Sequence, residues 1–499
     1  MRTLQSRSAI IWLSLISLCA ACATNPVTGK RELSFMSPER ERALGAQEAE
    51  KVAAQIGLVD DAELTAYVDS IGQRLVGNVH KRLVEGVAPP TEEYHFAVAD
   101  MPEPNAFALP GGWIYVSRGL LSIANSEAEV ANVVAHEIGH VVARHSAQRY
   151  TRQVVTGVGS VAATIGAAVL LGGDAGQTVG QLSQALGAGL IASYGRDQER
   201  QSDEVGQALA ADTGYDPAAM AEFFRALERE EIRLTGTKRL PSWLDSHPVT
   251  SERIASSTER SSRLRVTPNP EVPKGPESFL AKLEGLLVGP NPAEGVFQDR
   301  RFLHPGFNFT MEFPEGWQLA NQKVAVLGVA PNQEAIVALE GQPGTDPRAA
   351  AAEFAQKSGV TLQGGRELRI GGFDAYHAVA EASAQSGARI AVDLTWIAQP
   401  EVMFRITGQT LAENFRTFEP RFRATAESVR ALTRTERASI KAKRIHLVRA
   451  KSGETLAALS RRTQNAWSVE ETASANAISE SARLTGGRLV KITREAPVE

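Results

Sequence analysis

Cysteine is almost absent from this 499-residue sequence, which holds only Cys19 and Cys22, both close to the start. No disulfide can therefore join parts of the main body, and its stability has to come from packing. An excess of positive charge is also missing, since the net charge is -4, and we expect no nucleic-acid partner. With 43% hydrophobic and 22% charged residues, the composition is that of a globular protein rather than a disordered one.

The apolar run near the N-terminus, residues 9–18, is too short to span a bilayer. Two arginines precede it and Cys19-Ala20-Ala21-Cys22 follows, which is the order of a signal peptide. The small residues before Cys22 resemble a bacterial lipobox, in which that cysteine is acylated and becomes the first mature residue. Ala23 then favours the outer membrane over the inner one. We predict lipidation at Cys22 and a periplasmic location, with a plain secretory signal as the alternative.

Hydrophobic spacing predicts the first elements. Apolar residues three and four apart predict two amphipathic helices over residues 38–79, and short β-rich runs at 94–98 and 113–116 predict a small sheet. Ser126 and Glu129 match a capping box, so a helix is predicted from Ser126 to about Gln148, and a second one over 193–213. The stretch 154–195, in which Asp174 is the only charged residue, packs as helices over the first of these or dips into a membrane, and we favour the former.

The sequence His136-Glu137-Ile138-Gly139-His140 lies inside the first predicted long helix. Positions i and i+4 share one helix face, so His136 and His140 can offer two imidazole nitrogens to one ion. This pair suits a catalytic zinc, which takes three protein ligands and one water. Glu137 is suited to act as the general base for attack on a peptide carbonyl. Gly139 leaves room for another backbone to approach closely.

Two acids on the second helix complete the predicted site. Glu199 is the candidate third metal ligand, and Asp203, one turn later, is the candidate acceptor for the far nitrogen of a ligating histidine. Alone, acids and arginines at this spacing are typical of a salt-bridged, solvated face. Because the motif 136–140 lies upstream, we favour the metal-ligand role over the solvated face, and we predict one Zn²⁺ per chain.

Five segments together resemble the zinc peptidase family of the prenyl-protein CAAX endopeptidases and the membrane protease HtpX, in its periplasmic lipoprotein branch. The segments are the run 105–112, the motif 136–140, Glu199 with Asp203, the sequence Gly214-Tyr215-Asp216-Pro217 and the sequence Ser246-His247-Pro248. The resemblance covers residues 25–257 and implies zinc on His136, His140 and Glu199, catalysis by Glu137 and support from Asp203.

The same resemblance carries two further implications. It implies that the strand over 112–117 is the edge to which an extended substrate pairs. It also implies that His247 can approach the metal and hold the enzyme latent, with a purely structural loop histidine as the equal alternative. No 34-residue helical repeat follows residue 260, in contrast to relatives of that branch, so their choice of clients is not transferred.

Two more domains are predicted downstream. Alternating strands and two helical patches over 300–432 predict an α+β domain with no catalytic cluster, in which the isolated His304 and His377 are surface or structural residues. Over 445–495 the order of strand, Gly-acid-Thr turn, helix, Asn476 and final strand resembles a LysM glycan-binding module. Peptidoglycan binding and a module kept only for packing or protein contacts both stay open.

The predicted fold class is α+β, with a mainly helical zinc-metallopeptidase domain that contains a small sheet. The predicted ranges are a lipoprotein signal peptide (1–21), a tether (22–37), the metallopeptidase domain (38–265), a linker (266–299), an accessory domain (300–432), a basic linker (433–444) and a LysM-like module (445–495). We predict an envelope zinc endopeptidase that acts on misfolded or stalled envelope proteins and reaches the membrane through its N-terminal lipid. The alternatives are a non-catalytic zinc-containing chaperone or scaffold and a wall-tethered peptidase that binds peptidoglycan.

Overall fold

The computed structural model describes residues 22–156, 194–234, 243–383, 388–400 and 402–498. The predicted signal peptide and residues 157–193 of the stretch 154–195 lie outside these ranges, so neither prediction is addressed by the fold. Within the described ranges no helix combines the length and the apolar character needed to cross a bilayer. Helices and several separate sheets coexist, which confirms the predicted α+β class.

The first half of the chain is mainly helical, and the two helices predicted over residues 38–79 are present. Up to the HExxH motif the elements are β1 (Cys22–Thr24), β2 (Arg31–Leu33), α1 (Pro38–Gln55), α2 (Ala62–Val76), β3 (His95–Ala99), β4 (Ala106–Leu109), β5 (Trp113–Ser117) and α3 (Arg118–Ile123). From the motif onward they are α4 (Glu127–Val142), α5 (His145–Thr156), α6 (Arg196–Thr213), α7 (Ala219–Leu234), α8 (Trp243–Ser246), α9 (Ser251–Ser261) and α10 (Glu277–Lys282).

The segment predicted as a tether forms a hairpin that packs on α5. β1 and β2 pair antiparallel, with Cys22 opposite Leu33. The backbone N–H of Phe35 donates to Thr151 Oγ1 (3.0 Å), and a Gln148 side-chain N–H donates to the Glu32 carboxylate (2.7 Å). These contacts satisfy polar groups that a free tether would leave to water. The backbone of Cys22 is therefore fixed close to the helix that follows the motif.

The three-stranded sheet has the order β3-β5-β4, with β3 parallel and β4 antiparallel to β5. The implied substrate edge at 112–117 is therefore wrong, because β5 pairs on both sides. β4 is the edge strand that packs beside α4. Since Ser117 N–H donates to Asn105 O (2.8 Å), the register directs the N–H and C=O groups of Ala106 and Ala108 away from β5.

The accessory domain is built on a seven-stranded antiparallel sheet in the order β10-β11-β12-β16-β15-β14-β13 and a four-stranded sheet in the order β17-β9-β8-β7. The strands are β7 (Val296–Gln298), β8 (Arg301–His304), β9 (Phe309–Glu312), β10 (Gln318–Asn321), β11 (Val326–Val329), β12 (Ala335–Gln342), β13 (Leu362–Ile370), β14 (Phe373–Ser383), β15 (Arg389–Ala398), β16 (Met403–Leu411) and β17 (Arg430–Ala431). The helices are α11 (Pro347–Ser358) and α12 (Phe415–Glu427). His377 is buried and lies 3.0 Å from the Asp393 carboxylate, which makes it a packed structural residue.

The C-terminal unit consists of β18 (Lys441–Arg449), α14 (Leu456–Thr463), α15 (Val469–Ala475) and β19 (Leu489–Pro497), preceded by α13 (Arg434–Ser439). β18 pairs antiparallel with β19 over their full lengths and also with β6 (Leu287–Val288). The two segments predicted as linkers thus differ from that prediction, because 266–299 contributes α10 and β6 and 433–444 contributes α13 and the start of β18. Backbone pairing with a distant strand is a tertiary effect that composition does not reveal.

The C-terminal unit shares its hydrophobic core with the metallopeptidase domain. Ile445, Trp467 and Ala475 belong to the same buried cluster as Phe279 and the apolar face of α4. Lys491 on β19 is fully buried and donates to the carbonyl oxygens that end α3, at 2.9 Å to Ser122 and 2.6 Å to Ala124. Because the two units bury apolar surface against each other, we treat them as one packed body.

Candidate metal centre

Helix α4 carries the motif and begins where the sequence predicts. Ser126 is its N-cap, with a hydroxyl that accepts from the Glu129 N–H, while the Glu129 carboxylate accepts from the N–H of Asn125 instead of Ser126. The helix ends at Val142 rather than near Gln148, which corrects the predicted end. Arg144 takes a left-handed conformation (φ 58°) and donates to Glu41 and to Met36 O, contacts that ordinary helical geometry would not make.

Helices α4 and α6 cross at two glycines. A methyl group on Gly139 would lie 3.1 Å from the Ser202 backbone, and one on Gly206 would lie 2.8 Å from the His136 nitrogen. The predicted close approach at Gly139 is therefore present, with a matching glycine on the partner helix. Because the helix axes come this close, the side chains of Glu199 and Asp203 reach the two motif histidines.

Four buried side chains converge beside this crossing: His136, His140, Glu199 and His247. His136 Nε2 lies 3.0 Å from His140 Nε2 and 3.3 Å from His247 Nδ1. Glu199 Oε1 lies 2.9 Å from His247 Nδ1 and 3.5 Å from His140 Nε2. The three metal ligands predicted from the sequence are thus brought together, and His247 joins them.

These separations fit a tetrahedral metal. Zinc–nitrogen bonds of about 2.0–2.1 Å place the nitrogen atoms about 3.3 Å apart at the corners of a tetrahedron. Two imidazoles that face each other through Nε2 at 3.0 Å also need a cation or a shared proton between them. Three imidazoles and a carboxylate are the donors that zinc and similar divalent metals prefer. The donor set therefore fits a metal ion, and the geometry alone does not select zinc among them.

A second layer of polar side chains surrounds the four donors. Asp203 Oδ1, the candidate acceptor, lies 2.9 Å from His136 Nδ1. Arg253, at the start of α9, lies 2.7 Å from Asp203 Oδ1 and 2.9 Å from Glu199 Oε2. The arginine also donates to the backbone oxygen of His247 (3.3 Å). One cation thus fixes both carboxylates and the segment that carries the fourth donor.

Burial and charge together keep His140 and Glu199 in the forms that bind a metal. Burial holds the pKa of His140 well below its ordinary value, so its ring is neutral. Burial opposes ionisation of Glu199, yet the neighbouring His247 and His140 hold the pKa of this carboxyl well below its usual range. Burial likewise opposes ionisation of Asp203, but the contacts to His136 and Arg253 lower its pKa. Neutral imidazole and ionised carboxylate are the ligating forms.

Glu137 lies at the rim of the donor cluster and is fully buried. Trp243 Nε1–H donates to Glu137 Oε1 at 3.2 Å, and His247 Nε2 lies 3.6 Å from the same oxygen. The rings of Trp243 and His247 stack at 4.7 Å, and the backbone N–H of Trp243 donates to Pro104 O, next to the edge strand β4. The short helix α8 and His247 therefore cover the candidate base, the donors and one end of the edge strand.

His145 and Tyr194 cover the other side of His140. His145 Nδ1 lies 2.8 Å from His140 Nδ1, and its Nε2 lies 2.9 Å from Gln201 Oε1. Burial lowers the pKa of His145 to about 4, so this ring is neutral as well. Tyr194 stacks on His140 with ring centroids 3.8 Å apart. His140 is thus held on both sides.

Sequence reasoning missed several of these residues: Trp243, Arg253, His145, Gln201 and Tyr194. A signal was present for two of them, because Trp243 precedes His247 by four residues and Arg253 follows it by six, within one helix–turn–helix segment. Their function depends on contacts with residues 50 to 106 positions away, which local spacing does not encode. His145 was hidden by the helix predicted to continue through it.

The site has the donor arrangement expected of HExxH metallopeptidases. Residues 67–261 match the model of Peptidase family M48. It is 29% identical over 276 residues to the beta-barrel assembly-enhancing protease of Escherichia coli, covering 53% of this chain and 52% of that protein. It is also 28% identical over 240 residues to the mitochondrial metalloendopeptidase OMA1 of Schizosaccharomyces pombe, covering 47% of this chain and 65% of that protein. The chain spans about half the length of the first of these relatives.

Proposed function

We propose that this protein is a zinc-dependent endopeptidase of the cell envelope that degrades misfolded or stalled envelope proteins. The observation that carries this proposal is the position of Glu137 beside four converging metal donors, within a Peptidase family M48 domain. A closed structural zinc site needs no adjacent base. A buried carboxylate next to the donors is therefore best explained by hydrolysis.

In the proposed reaction Glu137 accepts a proton from the attacking water and later returns it to the leaving amine. A bound zinc supplies Lewis acidity and makes a water molecule more acidic. Arg253 holds Glu199 and Asp203 in their ionised forms, and Asp203 orients His136 from its far side. Burial of the whole group excludes bulk water, which strengthens each of these electrostatic contacts.

An extended substrate is expected to pair with the edge strand β4. The backbone groups of Ala106 and Ala108 face away from β5, and we expect them to pair with a main-chain partner beside α4 once these buried residues are uncovered. Main-chain pairing does not depend on side-chain identity, which suits clients that share only an unfolded state. Pro104 O already accepts from Trp243, so a substrate that extends past this end has to displace the Trp243 segment.

The resting form is expected to be latent. His247 contributes the fourth donor atom, the position that a catalytic zinc site keeps for water. In the same segment Trp243 donates to the carboxylate of Glu137. Activity therefore requires residues 243–247 to move away from the site. The proposal adopts one of the two interpretations that the sequence left open for His247, that of a regulatory ligand.

The envelope assignment rests on the N-terminal sequence and on one relative. Cys22 follows a signal-peptide pattern, so we propose a periplasmic protein anchored by lipid to the outer membrane. The name of the Escherichia coli relative refers to β-barrel assembly, which supports envelope proteins as clients. Binding of the LysM-like C-terminal unit to peptidoglycan is a separate proposal, tested by sedimentation with purified sacculi.

A second candidate function is a non-catalytic zinc-containing chaperone or scaffold. The observation in its favour is that His247 completes a four-donor set, as in closed structural sites. The two functions make different predictions for Glu137, because only hydrolysis needs that carboxylate.

The test is casein cleavage by the chain from Ala23 onward, with bound zinc quantified in every sample. We compare the wild type with Glu137→Gln, His247→Ala and the control His304→Ala, which changes a histidine of the accessory domain. The expected result is cleavage by wild type, its loss in Glu137→Gln with zinc retained, faster cleavage by His247→Ala and no change in His304→Ala. Full zinc occupancy without cleavage by wild type or His247→Ala would support the scaffold instead.

A further inference from the structure

Beyond the predicted ligands, a short chain of hydrogen-bonding groups leads away from His140. His145 Nδ1 lies 2.8 Å from His140 Nδ1, His145 Nε2 lies 2.9 Å from Gln201 Oε1, and the Ser202 hydroxyl lies 3.4 Å from His145 Nδ1. His140 and His145 are both buried, with exposed fractions of 1% and 0%. Water therefore does not choose the tautomers of these rings, and the protein groups must do so.

The amide oxygen of Gln201 can only accept a hydrogen bond. It therefore selects the His145 tautomer that carries its proton on Nε2. His145 Nδ1 is then unprotonated and accepts the proton of His140 Nδ1–H. The remaining nitrogen, His140 Nε2, is left with a free lone pair, and this is the atom that faces His136 and Glu199.

The opposite amide orientation fails. If Gln201 donated through its nitrogen, His145 would carry its proton on Nδ1 and donate it to His140 Nδ1. His140 would then carry its proton on Nε2, 3.0 Å from His136 Nε2, where it would exclude a cation. Only one direction of the hydrogen bonds from His140 through His145 to Gln201 is therefore compatible with metal binding.

The break after α4 makes the contact between the two histidines. In an unbroken helix His145 would lie about 140° around the axis from His140. Arg144 adopts φ 58° and is held by Glu41 and Met36 O, so the chain turns and α5 starts at His145 with its ring against His140. A left-handed conformation costs about 1–2 kcal/mol for a residue other than glycine. The buried Arg144 contacts offset that cost.

We propose that His145 and Gln201 form a hydrogen-bonded relay that fixes the tautomer of His140 and so prepares its Nε2 to bind the metal. His145 is a positioning residue, because it acts only through His140. The inference rests on the proposed metal site, and it adds His145 as the hydrogen-bond partner of the second motif histidine, His140. The two motif histidines then have different supports, a carboxylate (Asp203) behind His136 and a neutral imidazole behind His140.

The test measures zinc affinity by chelator competition on the chain from Ala23 onward, independently of peptidase activity. His145→Ala removes the acceptor, whereas His145→Asn keeps an oxygen close to the former Nδ1 position. The control is His377→Ala, which removes a buried histidine from the accessory domain, where it is paired with Asp393. We expect zinc affinity to fall about 10- to 100-fold in His145→Ala, to recover in His145→Asn and to stay unchanged in His377→Ala.

Nitrogen-15 NMR of the nine histidines gives a readout that a purely structural role would not produce. The expected signal for His145 is that of the Nε2-protonated tautomer, and Gln201→Leu should mix the two tautomers. Unchanged zinc affinity in a folded His145→Ala, an Asn variant as weak as the Ala variant, or an Nδ1-protonated His145 would each overturn the relay. A wild-type protein that binds no zinc would overturn the proposed function itself.

Discussion

Replacing Gly206 by alanine tests whether the distance between α4 and α6 sets the metal site. A methyl group at this position would lie 2.8 Å from the nitrogen and 2.9 Å from the Cα of His136, whereas ordinary contacts begin at 3.4 Å. Both neighbours are backbone atoms inside a helix, so a side-chain rotation cannot relieve the clash. The two helices therefore have to separate by about 0.5 Å at this level, since protein interiors are close-packed.

The energetic consequences differ for folding and for metal binding. Overpacking costs about 1–3 kcal/mol, while replacing a helical glycine by alanine returns about 1 kcal/mol. The free energy of unfolding of the apoprotein should then fall by at most about 2 kcal/mol. Metal–ligand distances tolerate deviations of only about 0.2 Å. Because Glu199 moves with α6, we expect zinc affinity to fall at least tenfold.

The assay combines urea denaturation of the apoprotein with zinc titration against a chelator. Gly77→Ala is the matched control, because Gly77 ends α2 with an ordinary φ of -54° and its added methyl would meet nothing closer than 3.6 Å. This control should keep both its stability and its zinc affinity. A folded Gly206→Ala protein that binds zinc as tightly as wild type would refute the reasoning, since the helix separation would then not control the ligands.

Three other predictions concern sites along the same chain. Lys491→Met should lower the free energy of unfolding by about 1–3 kcal/mol, because it leaves the buried carbonyl oxygens of Ser122 and Ala124 without their hydrogen-bond donor; the exposed Lys441→Met should change it little. Arg430 and Thr433 hold the pKa of Glu436 at about 2, so the stability this carboxylate adds is present above pH 4.5 and is lost as pH falls towards 2. Glu436→Gln should therefore flatten the dependence of unfolding free energy on pH between 5 and 3. Trp243→Phe removes the hydrogen bond to Glu137, which we expect to stabilise only the latent form, so the rate of casein cleavage should rise about 10- to 100-fold. The control Trp396→Phe, in the accessory domain, should leave the rate unchanged.

The parts of the site that were predicted from the sequence depend on local geometry. His136 and His140 share a face because they are four residues apart on one helix. Ser126 caps that helix because its hydroxyl accepts from the N–H of Glu129, three residues later. Glu199 and Asp203 share a face of α6 for the same reason, but only the family resemblance directs that face towards the histidines. Hydrophobic spacing likewise indicated α1 and α2.

The parts that were missed depend on distant contacts. Nothing near Arg144 predicts a helix end, since neither glycine nor proline is present there, and the break is imposed by Glu41 and Met36 more than 100 residues earlier. The central position of β5 depends on β3, whose parallel pairing no turn motif specifies. Residues 266–299 have the composition of a linker, yet part of the segment pairs with β18.

The contacts of α4 indicate where the catalytic unit ends. Its C-terminal end is fixed by Arg144 on Glu41 of α1, and its N-terminal end lies beside Lys491 of β19, which binds the carbonyls that end α3. A fragment that ends at residue 265 keeps the contact between Arg144 and Glu41 and loses the contacts of Lys491.

The accessory domain, in contrast, is inserted in the sequence between β6 and β18, and the backbone of Val288 pairs directly with Lys443. Paired residues lie about 5 Å apart, so residues 289–295 and 432–442, which remain after deletion of the accessory domain, can connect the strands without separating them. The metal centre should therefore survive deletion of 296–431 and should not survive truncation after residue 440.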